Sequence, residues 1–277
     1  MINLDNKKMA SVVSSFQIPI KPRILADLQL LLDKVEPDID RVADLISSDV
    51  GLSSAILKTI NSPFYGLSRR ISKIKQAVMI LGLKTINGLV TALLLKSSFQ
   101  GQSCISLERF WDDSLDVANA MAFVGNKVKN TIPVDMLYTI GLFQNCGIPL
   151  LALKFGDYKD VLIEANSLGI NSISLEEQKY QTNHAVLGYY VASSWHLPKE
   201  ICSLILQHHE SDYLSEISGN DEQLAFATLK VAEHMVERVK RHNISPDWEA
   251  IKESVLDVLG LTSIDFENLE DDFSELF

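Results

Sequence analysis

PRILADLQLLLDK, residues 22–34, decides the fold class. Ile24, Leu25, Leu28, Leu31 and Leu32 recur at spacings of three and four, the period of one helix face rather than the alternation of a strand. Pro22 suits the first turn of that helix. The same period continues outward. Asp38 is placed to cap a second helix with Val42, Leu45 and Ile46 on its stripe. Asp49 is placed to cap a third with Leu52, Ile56, Leu57 and Ile60. Residues 61–66, NSPFYG, break the pattern as a turn. Ser72 opens a short helix that Gly82 stops, and a very apolar helix follows from about Lys84 to Phe99.

Beyond it, helical stretches are predicted at about 107–128, from Pro133 to Asn145, from Asp157 to Leu168 with Gly169 as its stop, and from a capping box at Ser174–Glu177. Further helices carry His184, Leu187 and Val191, run from Pro198 to His208–His209, and span about 221–242. A last one, with Ser245 as cap, reaches Leu259. No useful strand alternation, hairpin, dinucleotide loop, P-loop or nucleophile elbow occurs. The sequence therefore predicts an all-α fold.

The chain has 277 residues, 47% hydrophobic and 22% charged, enough to bury one large core or two ordinary ones. Its net charge of -11 excludes a general nucleic-acid binder, so no DNA partner is expected. Cys104, Cys146 and Cys202 are widely spaced and form no CxxC pair, which fits a reducing compartment. The opening MINLDNKKMASVVSS has no apolar signal core, and the strongest apolar run, Leu89–Leu95, is far short of a bilayer span. A cytoplasmic protein with no membrane partner is expected.

Charge divides the chain. Residues 1–105 hold 13 Lys+Arg against 8 Asp+Glu, and residues 106–277 hold 12 against 28. The break falls at Gln100–Ser103, a polar Gly-containing connector. Two units are expected: an N-terminal helical subdomain, 1–105, and a helical bundle, 106–277, with an acidic C-terminal extension read as a solvated end. Arg69, Arg70, Lys73, Lys75 and Lys84 read first as a solvated helix face. Their sharper reading is a docking patch for an acidic partner.

The histidines carry the chemistry, if any is present. His184 lies on one helix and His208–His209 end another. Two separated histidine positions without a carboxylate are weak evidence for metal. The plainer reading makes His184 a cap or core residue, and the pair a surface helix end favoured by the helix dipole. For His234 and His242, surface placement is the default.

Several stretches resemble the HDOD domain, a bacterial signalling module related to the HD phosphohydrolases. They are LISSDVGL (45–52), LKTINSPFYG (57–66), AVMILGL (77–83), FWDDS (110–114), GLFQNCG (141–147), HAVLG (184–188) and WHLPKE (195–200). The resemblance covers roughly residues 16–240. It implies an HD-like helical bundle packed against an N-terminal helical subdomain. HD enzymes hold metal with a His, an adjacent His-Asp pair, and further His or Asp ligands. On this match the first His falls at Asp113 and the pair at Gln144–Asn145, two neutral amides. His184, with His208 or His209, remains at ligand-like positions. The expected pocket is thus a vestige made of Asp113, Gln144, Asn145, His184, His208 and His209, with no catalytic residue, metal or cofactor.

The implied function is non-enzymatic regulation through binding to other signalling proteins, with a homodimer left open. Asn61, Tyr65, Arg69, Arg70, Lys73 and Lys75 are the candidate interaction patch. Two alternatives are carried: a metal-dependent phosphohydrolase with an altered ligand set, and a cyclic-dinucleotide or nucleotide sensor using the Arg69–Lys75 stretch.

Overall fold

The computed structural model describes residues 12–61, 69–128, 131–210, 212–216 and 220–275, and every regular element among them is helical. The chain is all-α. It divides into two compact units, Ile20–Gln100 and the remainder, the segment up to Pro19 with Gly101–Phe277.

The smaller unit holds α1 (Arg23–Leu32), α2 (Ile39–Ser47), α3 (Val50–Ile60) and α4 (Ile74–Ser97). Asp38 accepts from the amides of Asp40 and Arg41 at 2.9 and 3.2 Å, and Asp49 from Leu52 at 2.9 Å. Both caps satisfy first-turn N–H groups that the helix itself leaves orphaned. Leu25, Leu28, Val42, Ile46, Leu52, Ile56 and Ile60 are buried. Each contributes about 1.5–3 kcal/mol by leaving water. Gly82 interrupts α4 with φ 79°, ψ 162°, which agrees with a stop at this glycine. Asn61 donates through Nδ2 to the carbonyls of Leu57 and Ile71, at 2.7 and 2.8 Å. Its Oδ1 accepts from the Ile71 amide at 2.8 Å. The end of α3 is thereby tied to residue 71. Tyr65 and most of the 61–66 turn lie outside the described residues.

The larger unit contains α5 (Leu107–Lys127), α6 (Val134–Phe143), α7 (Ile148–Lys154), α8 (Tyr158–Leu168), α9 (Ile173–Tyr180), α10 (His184–Ser194), α11 (Lys199–Gln207), α12 (Tyr213–Glu216), α13 (Asn220–Arg241), α14 (Trp248–Leu259) and α15 (Ser263–Ser274). α5 packs on α6 and α13, while α10 packs on α11 and α7. At Gly147 the chain passes close against α10. A Cβ there would sit 2.0 Å from the His184 carbonyl oxygen, so only a bare backbone fits.

Four local expectations change. The capping box at Ser174–Glu177 does not form: α9 begins two residues earlier, after Ser172, and Glu176 turns inward. The last expected helix starts at Trp248 after Asp247, not at Ser245. His234 is buried and stacks on Trp248, with ring centroids 4.3 Å apart. The acidic extension is not a loose end. It forms α15, capped by a reciprocal Thr262–Asp265 box, and buries Phe266, Leu269 and Phe273.

Two stretches, Ile74–Ser97 and Val134–Lys154, are long and apolar enough to cross a membrane by composition, and both are partly buried. The first is broken at Gly82 and the second at the turn 144–147.

Candidate functional site

The site lies within the larger unit, where the ends of α9, α10 and α11 meet the turn after α6. Its foundation is Glu176, fully buried on α9. One carboxylate oxygen accepts from Tyr158 Oη and Ser172 Oγ, both at 2.6 Å. The other accepts from the His184 backbone amide at 2.7 Å. His184 Nδ1 stands 3.0 and 2.8 Å from the two oxygens. Burial alone would raise the pKa of this carboxyl. His184 and the two hydroxyls more than offset that and hold it down at about 2. Glu176 is therefore an anion at neutral pH, and anions accept only, so His184 Nδ1 carries the proton it shares with Glu176.

His184 opens α10 behind the Asn183 cap, whose Oδ1 accepts from the Val186 amide at 2.8 Å. Its Nε2 faces His209 Nε2 at 3.0 Å. His208 donates through Nδ1 to the Ile205 carbonyl at 2.7 Å, and its Nε2 lies 3.2 Å from Asn145 Oδ1. His208 is fully buried and His209 largely so, with 18% of its side chain exposed. Desolvation first, then the neighbouring imidazoles and Lys230, push both well below the ordinary histidine range. This corrects the surface-end reading of the pair: they are neutral, and the helix dipole does not hold a charge here.

Behind them Lys230, also buried, pairs with Glu233 at 2.9 Å. Asp247 Oδ2 lies 3.7 Å from His209 Nδ1, too far for a hydrogen bond. Gln144 is buried beside Asn145, and its Oε1 has no hydrogen-bond partner among the described residues.

Of the six residues expected in the pocket, the structure joins Asn145, His184, His208 and His209 in one network, with Gln144 next to it in sequence. Asp113 is employed elsewhere. Its two oxygens take Lys240 Nζ at 2.6 Å and Arg241 Nη2 at 2.9 Å, and Lys240 also holds Asp116 at 2.5 Å. In the other candidate patch, Arg69, Arg70 and Lys73 are exposed, whereas Lys75 is paired with Asp40 and Asn61 is the clamp described above. The sequence reading missed Glu176. A signal existed: Ile173, Glu176 and Tyr180 share one helix stripe, so Glu176 occupies a position that faces inward.

HD enzymes, which the sequence resembles, hold a metal, so the donor set matters. His184, His208 and His209 each offer one nitrogen, all within 4.8 Å of one another. Two ligands at about 2.1 Å from a tetrahedral ion sit roughly 3.4 Å apart, so the His184–His209 pair at 3.0 Å would open slightly and no pair need close by more than about 1.4 Å. These donors fit one borderline transition ion. They do not fit the carboxylate-bridged arrangement of an HD hydrolase, since the amide pair offers no anion. Such an ion would supply Lewis acidity at the mouth of the imidazoles.

In comparisons with known proteins, residues 18–211 match the HDOD domain family. An HDOD domain protein of unknown function from Geobacter sulfurreducens superposes with a TM-score of 0.72 at 21% identity, over 99% of both chains. A protein from Marinobacter aquaeolei described as a candidate signal transduction protein gives 0.76 at 19%, over 100% of this chain and 64% of that one. A candidate phosphohydrolase from Shewanella amazonensis gives 0.75 at 17%, over 99% and 96%. At these identities the likeness is one of fold. The chain spans 39% and 27% of two longer curated relatives, uncharacterized proteins of Treponema pallidum and Bacillus subtilis. With the match covering most of its length, this chain belongs to the HDOD domain family.

Proposed function

We propose that this chain is a non-catalytic regulatory module of bacterial signalling, acting in the cytoplasm by binding other signalling proteins. One observation carries the reading: the carboxylate that an HD-type phosphoesterase needs between its metals is missing. Gln144–Asn145 is a neutral pair, and Asp113 is neutralised by Lys240 and Arg241. A metal-bridged phosphoryl centre needs anionic oxygen both to bind its ions and to offset their charge. Family membership and the signalling description of the Marinobacter relative support the same reading. Exposed Arg69, Arg70 and Lys73 offer a docking face for an acidic surface, which charge complementarity would steer.

A second reading, a phosphohydrolase with an altered ligand set, is favoured by the convergence of His184, His208 and His209. One experiment separates the two. Purified protein is assayed on p-nitrophenyl phosphate and bis(p-nitrophenyl) phosphate with Mn, Fe, Ni and Zn, beside His184→Ala. In parallel it is used as bait beside Arg69→Glu/Arg70→Glu. Expected are no turnover above that of His184→Ala, and a captured protein that the charge reversal releases. Turnover abolished by His184→Ala, with no partner retained, overturns the proposal.

A further inference from the structure

We infer that His184, His208 and His209 form an all-nitrogen site for one borderline transition-metal ion, with Glu176 as the positioning carboxylate behind it. This goes beyond the regulatory reading, because an ion can be held without being used in turnover.

The direction of the imidazole lone pairs decides where an ion can sit. A backbone carbonyl only accepts, so His208 Nδ1 must donate to Ile205 at 2.7 Å. The ring's other nitrogen, Nε2, faces Asn145 Oδ1, an acceptor, at 3.2 Å. Glu176 fixes His184 in the same way. Its carboxylate accepts from Nδ1–H and leaves Nε2 directed at His209 Nε2, 3.0 Å away. Among the described residues His209 has no hydrogen-bond acceptor at Nδ1, and Asp247 stands behind it at 3.7 Å. Without an ion, the two facing nitrogens must share a proton and the Asn145 amide must turn its nitrogen towards His208. With an ion among them, the three imidazole lone pairs are satisfied at once.

A histidine whose far nitrogen is held by a carboxylate or a backbone carbonyl is the usual support behind a metal ligand, and two of the three histidines here have it. The surrounding charge agrees. Lys230 is offset by Glu233, which leaves Glu176 and Asp247 as the anions behind two of the imidazoles. Three imidazoles with no carboxylate ligand select zinc, cobalt or nickel over magnesium and manganese, which prefer oxygen.

The test is a titration of the full-length, chelator-stripped protein with cobalt(II), read by visible ligand-field absorption. The expected result is saturation at one equivalent, loss of the band when zinc is added, and no effect of magnesium or manganese. Glu176→Gln weakens binding about 10–100-fold, as removal of such a supporting carboxylate does. His209→Ala, which removes a ligand, weakens it further, and His242→Asn changes nothing. Should Glu176→Gln fail to fold by circular dichroism, wild-type stoichiometry and His209→Ala decide the matter. The inference is overturned if no cobalt band forms, or if the band survives His209→Ala unchanged. Phosphoester turnover is measured separately, so failure here leaves the regulatory reading standing.

Discussion

Two ends of the larger unit, both suggested by the HD resemblance, behave in opposite ways. At one, Asp113 sits at the surface in an ion network with Lys240, Arg241 and Asp116, its side chain 37% exposed. At the other, Glu176, His184 and His208 are sealed from solvent, with His209 nearly so. The first is an arrangement of charges in water. Its energy is screened, and part of it is lost to side-chain entropy. The second is a buried network in which each group depends on its neighbours for a hydrogen bond, so removing one leaves others unpaired in a medium that punishes that. The resemblance treats both as pieces of one vestigial pocket. The structure gives the buried end the contacts and leaves the exposed end to ordinary surface electrostatics.

The comparison breaks most visibly at Glu176. Glu176→Ala should cost about 3–5 kcal/mol in chemical denaturation, because Tyr158, Ser172 and His184 lose one shared anion. A cost under about 1 kcal/mol would make the network ornamental. Gly147→Ala comes next, at about 3 kcal/mol or failure to fold, since the new methyl meets backbone rather than a side chain that can yield.

Acid titration sharpens the contrast further. His208 and His209 are held neutral in the fold, so the unfolded chain takes up protons below about pH 6.5 that the folded one refuses. Glu176, depressed from 4.5 to about 2, contributes stability above pH 4.5 that is lost as pH falls through that interval. Denaturation midpoints should therefore fall from about pH 6.5 downward, and more steeply below 4.5. A profile flat from pH 7 to 4 contradicts the account.

In the smaller unit, Asn61→Ala should cost about 1–3 kcal/mol by freeing the Ile71 backbone groups. Differential scanning would report it as a lowered transition. The smallest effect belongs to Asp113→Asn, below about 1 kcal/mol and shrinking further in high salt.

The helices and most of their caps were legible because period and cap chemistry are local properties. Asp38 and Asp49 needed no tertiary information, nor did the stop at Gly82. The site was only half legible. His184 and His208–His209 were visible as residues, but their meeting depends on how α10 and α11 pack, which no spacing in the chain encodes. His208 could have been placed inside, since it continues the buried stripe of Ile201, Leu204 and Ile205. Glu176 was hidden because Ser174–Glu177 reads as a capping box, with Glu177 as its acidic partner, whereas the burial of Glu176 is offset by four donors from three different segments. Asp113 illustrates the reverse. A position aligned with a ligand carries no record that Lys240 and Arg241, far along the chain, will claim it.

The central claim is that the amide pair at Gln144–Asn145 withholds the anionic oxygen on which an HD hydrolase builds its centre. Manganese(II), an oxygen-seeking ion, tests it most directly by electron paramagnetic resonance with metal-free full-length protein. The account predicts that the six-line spectrum of aqueous manganese keeps its full intensity as protein is added beyond stoichiometry. Loss of that signal at one or two equivalents, reversed in His184→Ala, would contradict it.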